Sequence, residues 1–190
     1  MGLEGKLVIL REERPEDMKL LAELRNDLET QAWSKTLPPD YTEHMYIKRF
    51  QERTFSFDRS DGRFIIEDKA TGSFAGTISY TGLEQRFATT FGIMVVRPFW
   101  GSGVAGDAQE ALLKFLFTEL GLRVVRIWTH SGNPRAVRLA EKAGFRISAR
   151  MRQAIYKNSE LYDNLVMDLL REEYFSLHPE LVDTLPAFPG

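Results

Sequence analysis

Apolar and polar positions along this chain repeat with a period of two residues in some stretches and about three and a half in others, and the switches between them lay out its elements. Lys6-Leu7-Val8-Ile9-Leu10-Arg11 is a short aliphatic, β-branched run ending in charge, which predicts a strand. Pro15 opens a stretch with Met18, Leu20, Leu21, Leu24 and Leu28 at near-helical spacing. After the Leu37-Pro38-Pro39-Asp40 break, Thr42 is placed to cap a second helix whose Tyr46, Ile47 and Phe50 share a face. Phe64-Ile65-Ile66 and the run from Phe74 to Tyr80 flank Lys69-Ala70-Thr71-Gly72 as a hairpin, and Thr89 to Val96 adds a strand with Phe91, Ile93 and Val95 on one face. The middle of the chain therefore predicts antiparallel sheet.

From Asp107 to Glu119 the pattern turns helical, with Ala108, Ala111, Leu112, Phe115 and Leu116 in register, and Val124 to Thr129 returns to strand. Asn133 reads as an N-cap, Pro134 as the first helical residue and Gly144 as the left-handed stop. A last hairpin joins Arg146–Tyr156 to Leu161–Leu170 through Lys157-Asn158-Ser159-Glu160. We expect one domain over residues 1–175 and an arm or tail over 176–190, whose Leu181-Val182 and Leu185 to Phe188 offer apolar surface for a homodimer contact.

Composition narrows the chemistry. A chain of 190 residues buries a core large enough to need no covalent or metal staple. The absence of cysteine excludes thiolate catalysis, disulfides and cysteine-ligated metal sites. With 25 Lys and Arg against 27 Asp and Glu, the chain lacks the excess positive charge of a nucleic-acid binder. No run reaches the roughly 18 apolar residues of a membrane span, and Met1 to Lys6 carries no apolar signal core, so a cytoplasmic protein is expected. His44 and His178 are too isolated for a metal site, and none is expected.

The segment richest in chemistry runs from Phe91 to Ala108, a strand entering a helix through Trp100-Gly101-Ser102-Gly103-Val104-Ala105. Glycines let the backbone approach a ligand, and the unpaired N–H groups of a helix's first turn carry the positive end of its dipole, so phosphate oxygens fit there. The alternative is a helix entry that needs small residues only for packing. Gly101, Gly103 and Gly106 satisfy G-x-G-x-x-G by letter, but the repeated βαβ units of a dinucleotide-binding domain are missing, and so is the Lys of a P-loop.

This loop resembles the acyl-CoA pyrophosphate loop of the GCN5-related N-acetyltransferases, with Trp100 in place of the usual first residue, as in the RimJ/RimL-like branch. Asn133-Pro134-Arg135-Ala136-Val137-Arg138-Leu139-Ala140-Glu141-Lys142-Ala143-Gly144-Phe145 is similar to that family's second signature, and Tyr162 to Glu173 to its closing strand. The resemblance, which spermidine acetyltransferases share end to end, covers about residues 6–175. It implies an α/β (α+β) fold: a mixed, mostly antiparallel sheet of six to seven strands, splayed at the cofactor site and flanked by about four helices.

The resemblance further implies acetyl-CoA as cofactor and an amine as acceptor, either a small molecule such as a polyamine or amino sugar, or a protein N-terminus. Met94 and Val96 would offer main-chain groups to the pantetheine arm, or serve as plain core. An N–H near Val95 would steady the oxyanion. Gly101, Ser102, Gly103, Val104 and Ala105 would cradle the pyrophosphate, and Asn133 would approach the pantetheine besides capping its helix. The family's usual tyrosine acid falls at Ala140, and the glutamate of polyamine enzymes at Thr90, so neither is present. Glu84 and His130 are then the candidates for base, His130 being otherwise a solvated loop histidine, and Tyr156 and Tyr162 on the last hairpin either act as acid or simply pack with a hydroxyl toward water. Asp40, Glu43, Glu67 and Asp68 form a candidate acidic rim. A non-catalytic acyl-CoA-binding or assembly module is the rival reading.

Overall fold

The computed structural model describes residues 3–32, 41–54, 60–84 and 87–184. Eight strands form one sheet: β1 (Leu3–Glu4), β2 (Val8–Glu12), β3 (Gly62–Asp68), β4 (Phe74–Glu84), β5 (Ala88–Val95), β6 (Val124–His130), β7 (Arg146–Lys157) and β8 (Glu160–Leu170). Their order across the sheet is β1-β2-β3-β4-β5-β6-β8-β7, and only the β5–β6 pair is parallel. The six helices are α1 (Asp17–Asn26), α2 (Leu28–Gln31), α3 (Glu43–Thr54), α4 (Val104–Lys114), α5 (Pro134–Lys142) and α6 (Arg171–Leu177). The mixed, mostly antiparallel sheet is the one expected. The two-residue β1 and the short α2 and α6 fall below what periodicity can register, since a single turn shows no repeat.

Strand alternation sends alternate residues to opposite faces, and two cores follow. On one face Val8, Leu10, Ile66 and Ile78 meet α4, whose Leu112 and Leu113, with Leu116 just beyond it, have no exposed surface. Each such leucine contributes about 1.5–3 kcal/mol by leaving water, and Leu112→Ala would cost about 2–5 kcal/mol with its cavity. On the other face Ile65 meets Met18, Leu21 and Ala22 of α1 and Tyr46 of α3. Of the five apolar residues expected to define the first helix, Leu20 and Leu28 stay exposed; Leu28 lies past the break at Asp27, where α2 starts a new axis.

The expected caps are in place. Thr42 Oγ1 accepts the Met45 N–H at 3.2 Å, and Asn133 Oδ1 accepts the Ala136 N–H at 3.1 Å. Gly144 turns left-handed (φ +95) just past α5. The helix expected to run to Glu119 is α-helical only to Lys114, after which Phe115–Glu119 widens to i→i+5 bonding. Beyond β8 the chain continues as α6, whose Tyr174 is buried, stacks on Phe117 at 4.7 Å and donates to Glu110 at 2.8 Å. A 3₁₀ turn follows at Pro179–Thr184.

Candidate active site

The sheet opens where its one parallel pair ends. β5 and β6 pair only at Ala88, Thr89 and Thr90 against Val124, Val125 and Arg126. Past Thr90 the strands part while each stays bonded to its outer neighbour, β5 to β4 as far as Val95 and β6 to β8 as far as His130. A cavity of about 1100 Å³ occupies this gap and reaches both faces of the sheet.

Antiparallel alternation decides which main-chain groups face the gap. The Val96 N–H is bonded to the Ala75 carbonyl at 2.9 Å, so Val96 and, two residues back, Met94 turn their polar groups toward β4. Those of Phe91, Ile93 and Val95 turn toward β6. The main-chain groups that face the gap are therefore those of Ile93 and Val95 rather than those of Met94 and Val96. Trp100 braces this edge: its indole N–H donates to the Val95 carbonyl at 2.7 Å, and the Arg135 guanidinium lies 4.9 Å from its ring centre.

The glycine loop meets the chemical requirements of a diphosphate seat. Gly101 (φ +76) and Gly103 (φ +92) hold left-handed conformations that cost a side-chain-bearing residue about 1–2 kcal/mol, and Gly103 is the N-cap of α4. Ser102 Oγ donates to the Phe99 carbonyl at 2.7 Å and accepts the Val104 N–H at 3.4 Å, so its hydroxyl holds the turn. The Ala105 and Gly106 N–H groups have no acceptor among the described residues, which leaves the positive end of the α4 dipole facing the cavity. The Asp107 carboxylate points away. It accepts N–H groups from Lys6, Leu7 and Val8 at 2.8, 2.7 and 3.0 Å, tying α4 to the start of the sheet. Arg135, Arg138 and Lys142 line the same end of the cavity, spaced three and four residues apart on one stripe of α5.

On the opposite face of the sheet the cavity is bounded by α1, α3 and β3. Arg25 donates to Tyr41 Oη at 3.1 Å, lies 5.0 Å from that ring's centre, and reaches Met94 Sδ at 3.6 Å, on the edge of the gap. Tyr46, Arg49 and Arg63 continue the wall. The register sets Arg63 opposite Ser79 and Ser79 opposite Gly92, so a row running from the guanidinium to the gap ends on a residue with no side chain. Burial holds the Tyr46 phenol above its ordinary pKa and the Arg63 guanidinium below its own.

Among the residues expected to move protons, the structure brings His130 to the cavity and leaves Glu84 outside it. His130 is buried at the end of β6 and lines the open end of the gap. Glu84 is exposed at the closed end, where β5 and β6 are still paired, and faces Arg126 at 3.9 Å. Tyr162 packs its ring 5.5 Å from that of His130 and donates its hydroxyl to Glu160, a bond that raises the phenol's pKa. Ala140 is wholly buried in the core, and Thr90 lies in the paired part of β5, so neither departure from the family pattern leaves a gap in the cavity wall. Asn133 lines the cavity while capping α5.

The expected acidic rim does not form from the residues described. Glu67 is bonded to Arg11 at 2.6 Å, Asp68 closes its own turn through Thr71, and exposed Glu43 lies outside the wall. Asp40 lies outside the described residues. Sequence reasoning missed the cationic side chains on both faces. The α5 stripe was there to be read at helical spacing, whereas Arg25, Arg49 and Arg63 meet only through tertiary packing. Among the described residues no group of three or more His, Asp or Glu is placed to hold a metal, and no helix is long and apolar enough to cross a membrane.

The acetyltransferase (GNAT) domain family matches residues 8–146. An uncharacterised N-acetyltransferase derived from the SPbeta prophage of Bacillus subtilis is 26% identical over 172 residues, spanning 90% of this chain and 93% of its own length. The spermidine N(1)-acetyltransferase of Escherichia coli is 22% identical over 129 residues, 67% of this chain and 68% of its own. Among solved structures, the spermidine N-acetyltransferase of Vibrio cholerae in complex with CoA and spermine superposes with a TM-score of 0.80 at 21% identity, covering 89% of this chain and 98% of that one. At that identity the likeness is one of fold.

Proposed function

We propose, because this chain belongs to the acetyltransferase (GNAT) domain family, that its cavity takes acetyl-CoA on the α4–α5 side and a primary amine on the α1–α3 side, the two meeting in the gap between β5 and β6. The observation that carries this reading is the parting of β5 from β6 beside a helix entry that presents unpaired amides and is flanked by three cations. Acetyl-CoA supplies an acetyl group activated as a thioester. The main chain from Gly101 to Ala105 seats its diphosphate, Arg135, Arg138 and Lys142 offset the remaining phosphate charge, and Ile93 and Val95 hold the pantetheine arm along the β5 edge with Asn133 nearby. The Val95 N–H is the donor for the thioester oxygen.

His130 accepts the proton that the acceptor's ammonium must lose, an imidazole being the side chain that does this near neutral pH. The amine nitrogen then forms the bond to the acetyl carbon, the carbon–sulfur bond breaks, and the sulfur leaves as the free thiol with the proton that the nitrogen sheds on becoming an amide. The acceptor is an amine of a small molecule or of a protein N-terminus. Transfer is direct, with no covalent enzyme intermediate, in keeping with a chain that has no cysteine. Tyr162, its hydroxyl committed to Glu160, is a positioning residue that packs against His130.

Thiol release with acetyl-CoA and a panel of amines tests this reading, alongside thermal stabilisation by CoA. We expect His130→Gln to lower kcat about 100-fold or more and to abolish the acid limb of the pH–rate profile, with CoA stabilisation retained. An unchanged profile would remove His130 from the reaction. No thiol from any amine, with CoA still bound, would leave a binding module. Cytoplasmic residence and a homodimer belong to the same reading, the latter supported by the exposed Ile147, Met151, Tyr156 and Leu161 on β7 and β8, and light scattering tests it.

A further inference from the structure

The acceptor side of the cavity carries the wrong charge for a polycation. Arg25, Arg49 and Arg63 line it, and no Asp or Glu does among the described residues. Arg63 is paired with Glu13 at 3.4 Å, but that one carboxylate also faces Arg53 at 3.5 Å and lies in the field of Arg49. The Glu13 carboxylate is thus shared among three guanidiniums. Among the described residues the partners of Arg25 are neutral, the Tyr41 hydroxyl and ring and the Met94 sulfur. Among the described residues Arg49, which lines the cavity, makes no hydrogen bond or ion pair, and the wall it belongs to also presents Tyr41, Tyr46 and Ser79 as neutral hydrogen-bonding groups.

Like charges brought together at a partly desolvated wall cost free energy that an anion recovers. Guanidinium forks are also matched in shape to the paired oxygens of a carboxylate or phosphate. An acceptor with a second ammonium would instead bring another positive charge beside Arg25, next to the strand edge where the transfer takes place. We infer that the acceptor is a primary amine that carries an anionic group, a carboxylate or a phosphate, held by Arg25 and Arg49 so that its amine end projects into the gap between β5 and β6. This rests on the assignment of the α1–α3 side to the acceptor. It departs from the polyamine chemistry named for the relatives.

The test is equilibrium binding to the full chain saturated with CoA, so that the readout does not depend on turnover. The probes are four series of two- to six-carbon chains bearing a terminal amine: ω-amino carboxylates, ω-amino phosphonates, plain alkylamines and diamines. At some chain length, a carboxylate or phosphonate is expected to bind at least tenfold tighter than the plain amine of the same length, and the diamine weakest. The better of the two anionic series identifies the anion. Arg49→Gln and Arg25→Gln should each remove most of that margin, with CoA affinity within about twofold of the parent, and added salt should narrow it. Diamines binding tightest, all four series binding alike or not at all, or both variants keeping the margin would each overturn the inference. Thiol release separates it from the reading beneath: a tight amino carboxylate that yields no thiol defeats acetyl transfer and leaves the anion pocket standing. Turnover fastest with diamines defeats the pocket and leaves acetyl transfer standing.

Discussion

The two faces of the cavity are built on different principles. On the α4–α5 face the wall comes largely from one continuous stretch, from the β5 edge through the glycine turn into the first turn of α4, which presents its main chain, with the cationic side chains of α5 beside it. On the α1–α3 face the wall comes from side chains of α1, α3 and β3, with Ser79 of β4 and the bare Gly92 of β5 on the strand floor. A main-chain site needs a local conformation and therefore a short, recognisable string of residues. A side-chain site needs only the right heads at the end of a packed scaffold, and it can change its charge with no change of fold. Here the fold of a spermidine acetyltransferase comes with a wall of arginines.

The sharpest way to break the comparison is to damage one face alone, and the largest effect is expected at Gly103. Gly103→Glu places a side chain in a left-handed position 3.3 Å from Leu7 Cδ1 and sets a negative charge at the loop proposed to seat the diphosphate. CoA should bind at least 100-fold more weakly by calorimetry, a loss of about 3 kcal/mol. Backbone strain of about 1–2 kcal/mol should take only a few degrees from Tm. Unchanged CoA affinity would remove this loop from the cofactor site.

Asp107 comes next, because it joins the loop to the sheet. Asp107→Asn keeps the size of the side chain but replaces one carboxylate oxygen, facing N–H groups from Lys6, Leu7 and Val8, with a second donor. The expected cost is about 2–3 kcal/mol, or a fall of roughly 4–12 °C in Tm, with a smaller loss of CoA affinity than Gly103→Glu causes. An unchanged Tm would show that the anchor contributes nothing.

What could be read without coordinates follows the same division. The β5-to-α4 turn, the Asn133 cap, the Gly144 stop and the hairpins are each specified by neighbouring residues, so a linear reading finds them. The parting of the strands was legible only through family resemblance, because nothing in Phe91–Val95 or Ile127–His130 states that the two runs diverge. The phase of β5 was open to error for a related reason: a strand pattern tells which side chains are buried, but only the partner tells which N–H groups are spent. Glu84 and His130 both looked well placed in the chain, and it is the three-residue length of the parallel pairing that puts one at the closed end and the other at the open end. The acidic rim failed because Glu67 and Asp68 find partners across the sheet and the turn.

Asn133 belongs to both kinds of site, and a pair of variants can apportion it. Asn133→Ala removes the cap on Ala136 and should cost about 1 kcal/mol, 2–4 °C in Tm. Asn133→Ser restores a capping oxygen and with it the stability. If CoA affinity recovers with the cap, Asn133 acts only by holding α5. If affinity stays low in the serine variant, its amide touches the cofactor.

The smallest effect is expected where the two faces are tied together. Asp27 caps α2 on the acceptor side, accepting the Thr30 hydroxyl at 2.5 Å and the Thr30 N–H at 3.0 Å, and pairs at 3.3 Å with Arg97, which precedes the glycine loop. The Thr30 hydroxyl bond is the main cause that holds the Asp27 pKa below the ordinary 3.8, aided by the Thr30 N–H and Arg97. A carboxyl whose pKa is depressed by folding stabilises the folded state above its unfolded pKa and loses that contribution as pH falls through the folded value. Asp27→Asn retains a capping oxygen but no charge, and an exposed ion pair of this kind is worth about 0–1 kcal/mol. The variant should therefore melt about 1–3 °C below the parent at pH 7. The gap should hold down to about pH 5, narrow below about pH 4 and vanish in stronger acid, as the parent's own carboxyl takes up its proton. A gap that stayed constant through this range would mean that the charge of Asp27 does not help hold the two faces together.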